Sequence, residues 1–172
     1  MEKLVKSKIR EIPDWPKKGV SFKDITPLLE DRKLFHKIID FLIAPYLKKK
    51  IDKIVGIDAR GFILAAAAAY KLKTGLVIVR KKGKLPSKTI SKTYTLEYAS
   101  NTLEMHEDSI LPGEKILVID DVLATGGTMQ ATIDLIKKLK GKIVGIEFLA
   151  ELTYLQGRKK LKGQKVRSFL KY

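Results

Sequence analysis

Asp120 and Asp121 stand side by side directly after the apolar run Ile116-Leu117-Val118-Ile119, and Val122-Leu123-Ala124-Thr125-Gly126-Gly127-Thr128 follows them. The apolar run reads as a strand. Met129, Ile133, Ile136 and Leu139 recur at helical spacing, so a helix is expected from Gly127 to Lys140. In open α/β sheets, ligands bind beyond the carboxyl ends of the strands. Two carboxylates at such a position are costly to bury and need a partner: a cation, a pair of sugar hydroxyls or a metal. Ala124 to Thr128 can wrap backbone N–H groups around an anion, with glycine for close approach, hydroxyls from Thr125 and Thr128, and the positive end of the helix behind. One loop can then hold a phosphate and a ribose diol side by side. Neither GxxxxGK[ST] nor GxGxxG occurs, which excludes a Walker loop and a dinucleotide fingerprint.

The elements that must carry this loop alternate. Ile54 to Ile57, Leu76 to Val79, Lys115 to Ile119 and Ile143 to Leu149 are short apolar strand candidates; an alanine-rich helix is expected over Gly61 to Lys73. Near-continuous apolar strands separated by helices imply a mostly parallel, twisted sheet flanked by helices, an α/β fold. An amphipathic helix is expected over Asp31 to Lys50, with Leu34, Ile38, Ile39, Leu42 and Leu47 on its apolar side and Pro45 bending or ending it. Residues 81–92, rich in Lys, Ser and Thr, read as a mobile basic loop, and Thr93 to His106 as a hairpin with Tyr94, Leu96 and Tyr98 on one face, turning near Ser100-Asn101. Residues 1–30 contain Pro13, Pro16, Gly19 and Pro27 and read mostly as loop, a cap over part of the sheet.

A chain of 172 residues with 45% apolar content suits one domain with a full core. The absence of cysteine removes disulfides, thiolate zinc sites and a thiolate nucleophile; His36 and His106 are too few for a triad or a multi-histidine metal site, and both read as structural or surface residues. The net charge of +16 biases the surface toward anions. Of the cations 29 are Lys and 6 Arg, and the lysines are scattered, so the charge reads first as a solvated surface rather than a reader of bases. No apolar run spans a bilayer, and Met1 to Ile12 is charged; the expected location is cytoplasmic.

Asp120-Asp121-Val122-Leu123-Ala124-Thr125-Gly126-Gly127-Thr128 resembles the phosphoribosyl pyrophosphate (PRPP) signature of the type I phosphoribosyltransferases. The resemblance covers nearly the whole chain and narrows to the adenine branch of that family. It is carried by Ile12-Pro13-Asp14-Trp15-Pro16, Gly19-Val20-Ser21-Phe22-Lys23-Asp24-Ile25, Asp58-Ala59-Arg60-Gly61-Phe62, Arg80 to Pro86, Leu96-Glu97-Tyr98 and Glu151-Leu152-Thr153. It implies a single domain, 1–172, with a hood from the N-terminal segment 1–30 and the C-terminal segment, and a flexible catalytic loop and hairpin over 81–98. The implied reaction is adenine plus PRPP giving AMP and pyrophosphate, a pentosyl transfer in purine salvage.

The resemblance also distributes roles. Ala124, Thr125, Gly126, Gly127 and Thr128 would hold the 5′-phosphate, and Asp120 and Asp121 the ribose hydroxyls. Mg²⁺ would be chelated mainly by PRPP and lie near these two acids without a direct protein cage. Asp58, Ala59, Arg60, Arg80, Lys81 and Lys84 would meet pyrophosphate, with Ala59 where the family commonly has Ser. The family often has a non-proline cis peptide in the 58–61 loop. Arg60 would assist catalysis, and Glu97 would exchange a proton with an adenine ring nitrogen. Val20, Phe22, Lys23 and Leu152 would bind adenine, Phe22 by stacking. A homodimer is implied; nucleic acid and membrane are not expected as partners. Two other readings stay open: the same fold acting on hypoxanthine, guanine, xanthine or orotate, and a PRPP-binding regulator of nucleic acid.

Overall fold

A computed structural model describes residues 1–96 and 99–172, which divide into two compact units, Met1–Phe41 and Leu42–Tyr172. The first unit holds more regular structure than its prolines suggest. Helix α1 (Glu2–Lys8) leads into β1 (Arg10–Ile12), which pairs antiparallel with β2 (Phe22–Asp24), Ile12 opposite Phe22. Helix α2 (Thr26–Glu30) follows; Pro27 sits in its first turn, where no N–H is needed. The expectation of a mostly looped 1–30 is thus corrected: its prolines fall between elements or at a helix start.

Helix α3 spans Arg32–Ile43. Asp31 starts it, its Oδ1 accepting hydrogen bonds from the backbone N–H groups of Lys33 and Leu34, both at 3.1 Å. The apolar residues Leu34, Ile38, Ile39 and Leu42 are buried. The helix does not reach Lys50: Pro45 lies in a single 3₁₀ turn, Ala44–Tyr46, and Leu47, expected on the apolar side, is exposed.

In the second unit, among the described residues, seven strands form one sheet. They are β3 (Lys53–Ile57), β4 (Gly75–Lys81), β5 (Thr89–Leu96), β6 (Ala99–His106), β7 (Lys115–Leu123), β8 (Lys142–Glu151) and β9 (Val166–Lys171), in the order β5-β6-β4-β3-β7-β8-β9. The five strands from β4 to β9 in that order are parallel, while β6 joins β4 and β5 antiparallel. Helix α4 (Arg60–Leu72) connects β3 to β4, and α5 (Gly127–Lys138) connects β7 to β8. Val55, Ile57, Val118, Ile146 and Phe148 pack with Met129, Ile133 and Ile136 of α5 in one core. The alternate positions serve α4: Gly56 lies so close that a Cβ there would stand 2.6 Å from the Ala65 methyl. Among the described residues no helix is long and apolar enough to cross a membrane.

Three further expectations need correction. β7 does not stop at Ile119 but runs through both aspartates to Leu123, because β8 continues beside it and pairs Asp120 with Phe148 and Leu123 with Glu151. The basic loop is shorter than 81–92: β4 includes Lys81 and β5 begins at Thr89, where β-branched Thr89, Ile90 and Thr93 outweigh the charges. The hairpin does not turn at Ser100-Asn101, since those residues pair with Thr95 and Tyr94. β9 was not anticipated; its alternation is masked by Arg167 and Lys171 at an edge.

Away from the loops, Glu147 of β8 is wholly buried. The Tyr46 hydroxyl donates to its Oε1 at 2.8 Å, in space left by Gly145, and Arg167 Nη1 lies 3.5 Å from the same oxygen. Burial pushes the Glu147 carboxyl up to about 7, against the pull of Tyr46 and Arg167. The folded state therefore binds a proton that the unfolded chain has already lost, and stability falls as pH rises from about 4.5 to about 7. Melting scans at pH 5 and pH 8 should show a drop of about 5 °C that disappears in Glu147→Gln. An unchanged drop in that variant would refute the assignment.

Candidate active site

The chain order reverses between β3 and β7. From β3 the chain moves outward to β4, and then returns to place β7 on the other side of β3. The two loops leaving the carboxyl ends of these neighbours therefore diverge and leave a crevice, the usual ligand position in such sheets. The 58–60 loop follows β3, and the 124–126 loop follows β7. Both lead into helix N-termini, so backbone N–H groups and helix dipoles converge on one edge.

Asp120 and Asp121 lie in the second half of β7 and are buried. Asp120 Oδ1 accepts the Asp121 backbone N–H at 2.9 Å and abuts the start of α4, where a Cβ on Gly61 would stand 2.5 Å from it. Arg60 Nη2 is 2.5 Å from Asp121 Oδ2. The contact is a close ion pair between a partly buried guanidinium and a buried carboxylate. Burial raises both carboxyls; the Asp121 charge raises Asp120 further, while Arg60 pulls Asp121 back down. Arg60 sits where the helix dipole opposes a cation, and Asp121 offsets that cost.

The Asp58–Ala59 peptide is cis. Asp58, expected at the pyrophosphate, has its carboxylate occupied: Oδ2 accepts from Arg80 Nε at 2.9 Å. Arg80 Nη1 also donates to the Lys84 carbonyl at 3.2 Å, and Glu104 Oε2 accepts the Gly83 backbone N–H at 2.9 Å. Asp58, Arg80 and the start of the basic loop are thus tied together, while the Lys81 and Lys84 side chains are exposed.

Gly126 adopts φ +79°, a left-handed conformation suited to glycine, directly before α5. Ala124 is half-buried, Thr125 exposed, Gly126 and Gly127 buried. The Thr128 hydroxyl is 2.9 Å from that of Tyr94 on β5, a link invisible in the sequence. Lys92 Nζ meets Asp134 of α5 at 2.8 Å and ties the same strand to the same helix. Leu152 is buried just after β8, its N–H donating to the Leu123 carbonyl at 2.9 Å.

In the first unit, Phe22 is half-buried with Trp15 edge-on at 4.3 Å between ring centroids. Val20 accepts the Trp15 N–H at 3.1 Å through its carbonyl. Lys23 is buried and its Nζ pairs with Glu11 at 2.7 Å, so its side chain is committed locally. Glu97, and Tyr98 beside it, lie outside the described residues. Glu151 stands in a stretch that carries the family resemblance but has no role assigned from the sequence, and Gly157 and Arg158 do not stand out there. A lone glycine before a basic run carries no signal of what it packs against.

The family model "Phosphoribosyl transferase domain" matches residues 28–170. The chain is 56% identical over 172 residues to the adenine phosphoribosyltransferase of Trichlorobacter lovleyi, all of both chains being covered. It is similar to the crystal structure of adenine phosphoribosyltransferase from Thermoanaerobacter pseudethanolicus, with TM-score 0.95, 48% identity and full coverage of both chains. It is also similar, at TM-score 0.92, 35% identity and 98% coverage of each chain, to the Saccharomyces cerevisiae enzyme complexed with an imino-altritol bisphosphate and adenine.

Proposed function

Because this chain belongs to the phosphoribosyltransferase family, and within it to the adenine phosphoribosyltransferases, we propose that it transfers the 5-phosphoribosyl group of PRPP to adenine, giving AMP and pyrophosphate. The observation that carries the chemistry is the crevice between β3 and β7, where a buried carboxylate pair adjoins a glycine-rich helix start. The base is carried by the full-length relatives.

In this reading Ala124, Thr125, Gly126, Gly127 and Thr128 hold the 5′-phosphate through backbone N–H groups and hydroxyls. Asp120 and Asp121 accept hydrogen bonds from the ribose hydroxyls. As the glycosidic bond to pyrophosphate breaks, positive charge develops on the ribosyl centre, and the two acids favour it. The bond to an adenine nitrogen forms, the electron pair of the broken bond leaves with pyrophosphate, and Glu97 takes the proton the base gives up. Arg60, Arg80, Lys81, Lys84 and the N–H groups of Ala59 and Arg60 receive the pyrophosphate; Asp58 aims Arg80. Phe22 stacks on the base, backbone groups of Val20 and Lys23 read its edge, and Leu152 contributes apolar contact.

Mg²⁺ carried by PRPP would lie near Asp120 and Asp121 and would supply positive charge to the leaving pyrophosphate. The donor set fits a substrate-borne ion: the two carboxylates beside the loop are buried, and Arg60 already pairs with one of them. We further propose a homodimer in the cytoplasm. Incubation with adenine, PRPP and Mg²⁺ should yield AMP and pyrophosphate in equal amounts, and faster turnover with hypoxanthine would overturn the assignment. Glu97→Gln should lower kcat about 100-fold with PRPP affinity nearly unchanged; an unaltered kcat would remove Glu97 from proton transfer.

A further inference from the structure

The phosphate loop rests on a second piece of backbone. Gly126 and Gly157 face each other with no room for a side chain on either: a Cβ on Gly126 would stand 2.4 Å from the Gly157 carbonyl oxygen, and one on Gly157 would stand 2.1 Å from the Ala124 carbonyl oxygen and 2.8 Å from the Gly126 nitrogen. Gly157 opens a short 3₁₀ segment, Gly157–Leu161, entered through Gln156 at φ 53°. That segment is pinned at two further points. Leu161 is buried in the core that includes α5. Arg158 makes a forked contact with Glu151, Nε to Oε1 at 2.9 Å and Nη2 to Oε2 at 2.5 Å. Its Nη1 donates to the Val166 carbonyl at 2.8 Å, and its Nη2 lies 3.2 Å from Ser168 Oγ. Ser168 Oγ in turn donates to Glu151 Oε2 at 2.8 Å. Glu151 is the last residue of β8 and is buried, so the fork binds the segment to the rigid sheet.

We propose that Arg158 and Glu151 are positioning residues for substrate phosphate: they hold the Gly157 backbone as a floor beneath residues 124–126 and so fix the curvature of the anion cradle. They touch no substrate. The cradle binds by aiming several N–H groups at one point, and a shift of the floor would spoil that aim while leaving Asp120 and Asp121 on β7 in place. A planar fork suits the task, since a guanidinium holding two carboxylate oxygens and a carbonyl leaves its chain no freedom to swing. The inference rests on the reading of 124–128 as the 5′-phosphate site.

The test is calorimetric titration with ribose 5-phosphate and steady-state kinetics on four variants. Arg158→Met with Glu151→Gln removes the fork without stranding a buried charge. Arg158→Lys keeps the charge and loses the fork. Gly157→Ala intrudes on the cradle directly, and Gly126→Val is the control for the cradle itself. The expected result for the double variant is a Kd for ribose 5-phosphate and a KM for PRPP both raised about tenfold, with kcat and the KM for adenine within about twofold of the parent. Arg158→Lys should fall between, and Gly157→Ala should lose more. If the double variant does not fold, Arg158→Lys decides alone. Ribose 5-phosphate affinity at the parental level in the fork variants, with Gly126→Val abolishing it, would overturn the positioning role and leave the cradle standing. Parental affinity in all four would overturn both. A fall in kcat with KM for PRPP unchanged would also overturn it, because a floor for the phosphate acts on binding.

Discussion

Gly126→Val lowers kcat/KM for PRPP by at least about 100-fold, with AMP binding lost in parallel. Two causes act together. The residue holds φ +79°, which a β-branched side chain tolerates poorly. Its Cβ would also point at the Gly157 carbonyl oxygen, 2.4 Å away, so the side chain is directed into the floor of the loop. Backbone atoms on both sides leave nothing flexible to give way. The loop must lift, and the N–H groups that converge on the phosphate diverge. The damage is therefore displacement of the cradle from below rather than blockage from the ligand side. Steady-state kinetics and titration with AMP measure it; AMP affinity equal to the parent would contradict this loop geometry.

Arg60→Met lowers kcat/KM for PRPP by about 100-fold and moves the acid limb of its pH profile to higher pH. The first effect comes from losing a cation at the crevice, where pyrophosphate has to be received. The second follows from the ion pair with Asp121 at 2.5 Å. Burial raises both Asp120 and Asp121, and Arg60 is what draws Asp121 back. Without it the folded pair holds a proton to higher pH, and a protonated carboxyl is a weaker acceptor for the ribose hydroxyls. The sign is fixed: removing a positive neighbour can only raise a carboxyl. The pH dependence of kcat/KM for PRPP in parent and variant provides the check, and an acid limb that stays in place would show that Asp121 is not governed by Arg60. Arg60→Lys should retain part of the shift and less of the rate, since an ammonium keeps charge but not the fork.

The carboxyl end of β7 and the helix start after it were legible in the sequence, and the reason is local. The Asp-Asp pair, the small residues after it and the helix periodicity beyond lie within one continuous stretch, from Ile116 to Leu139. Strand type and helix start there depend on neighbours a few residues away, so pattern and propensity suffice. The same held for α4 and for the apolar runs of β3 and β4. Prediction lost accuracy where tertiary pairing overrides local composition. Thr89 to Lys92 carries polar and basic residues that look like loop, but β6 supplies a partner and makes it strand. β7 continues through two acids because β8 continues beside it. β9 is an edge strand whose charges conceal its alternation.

Residue types at given spacings reveal, without a fold in view, the class of the sheet, the glycine-rich turn into a helix at 124–128 and the acids beside it, because those are short-range properties of the chain. Which distant side chains meet there depends on the folded chain: Arg60 with Asp121, Arg80 with Asp58, Tyr94 with Thr128, and Arg158 with Glu151 under a glycine. Such contacts depend on how β3, β7 and β8 lie side by side, and a one-dimensional pattern holds no record of which strand becomes whose neighbour.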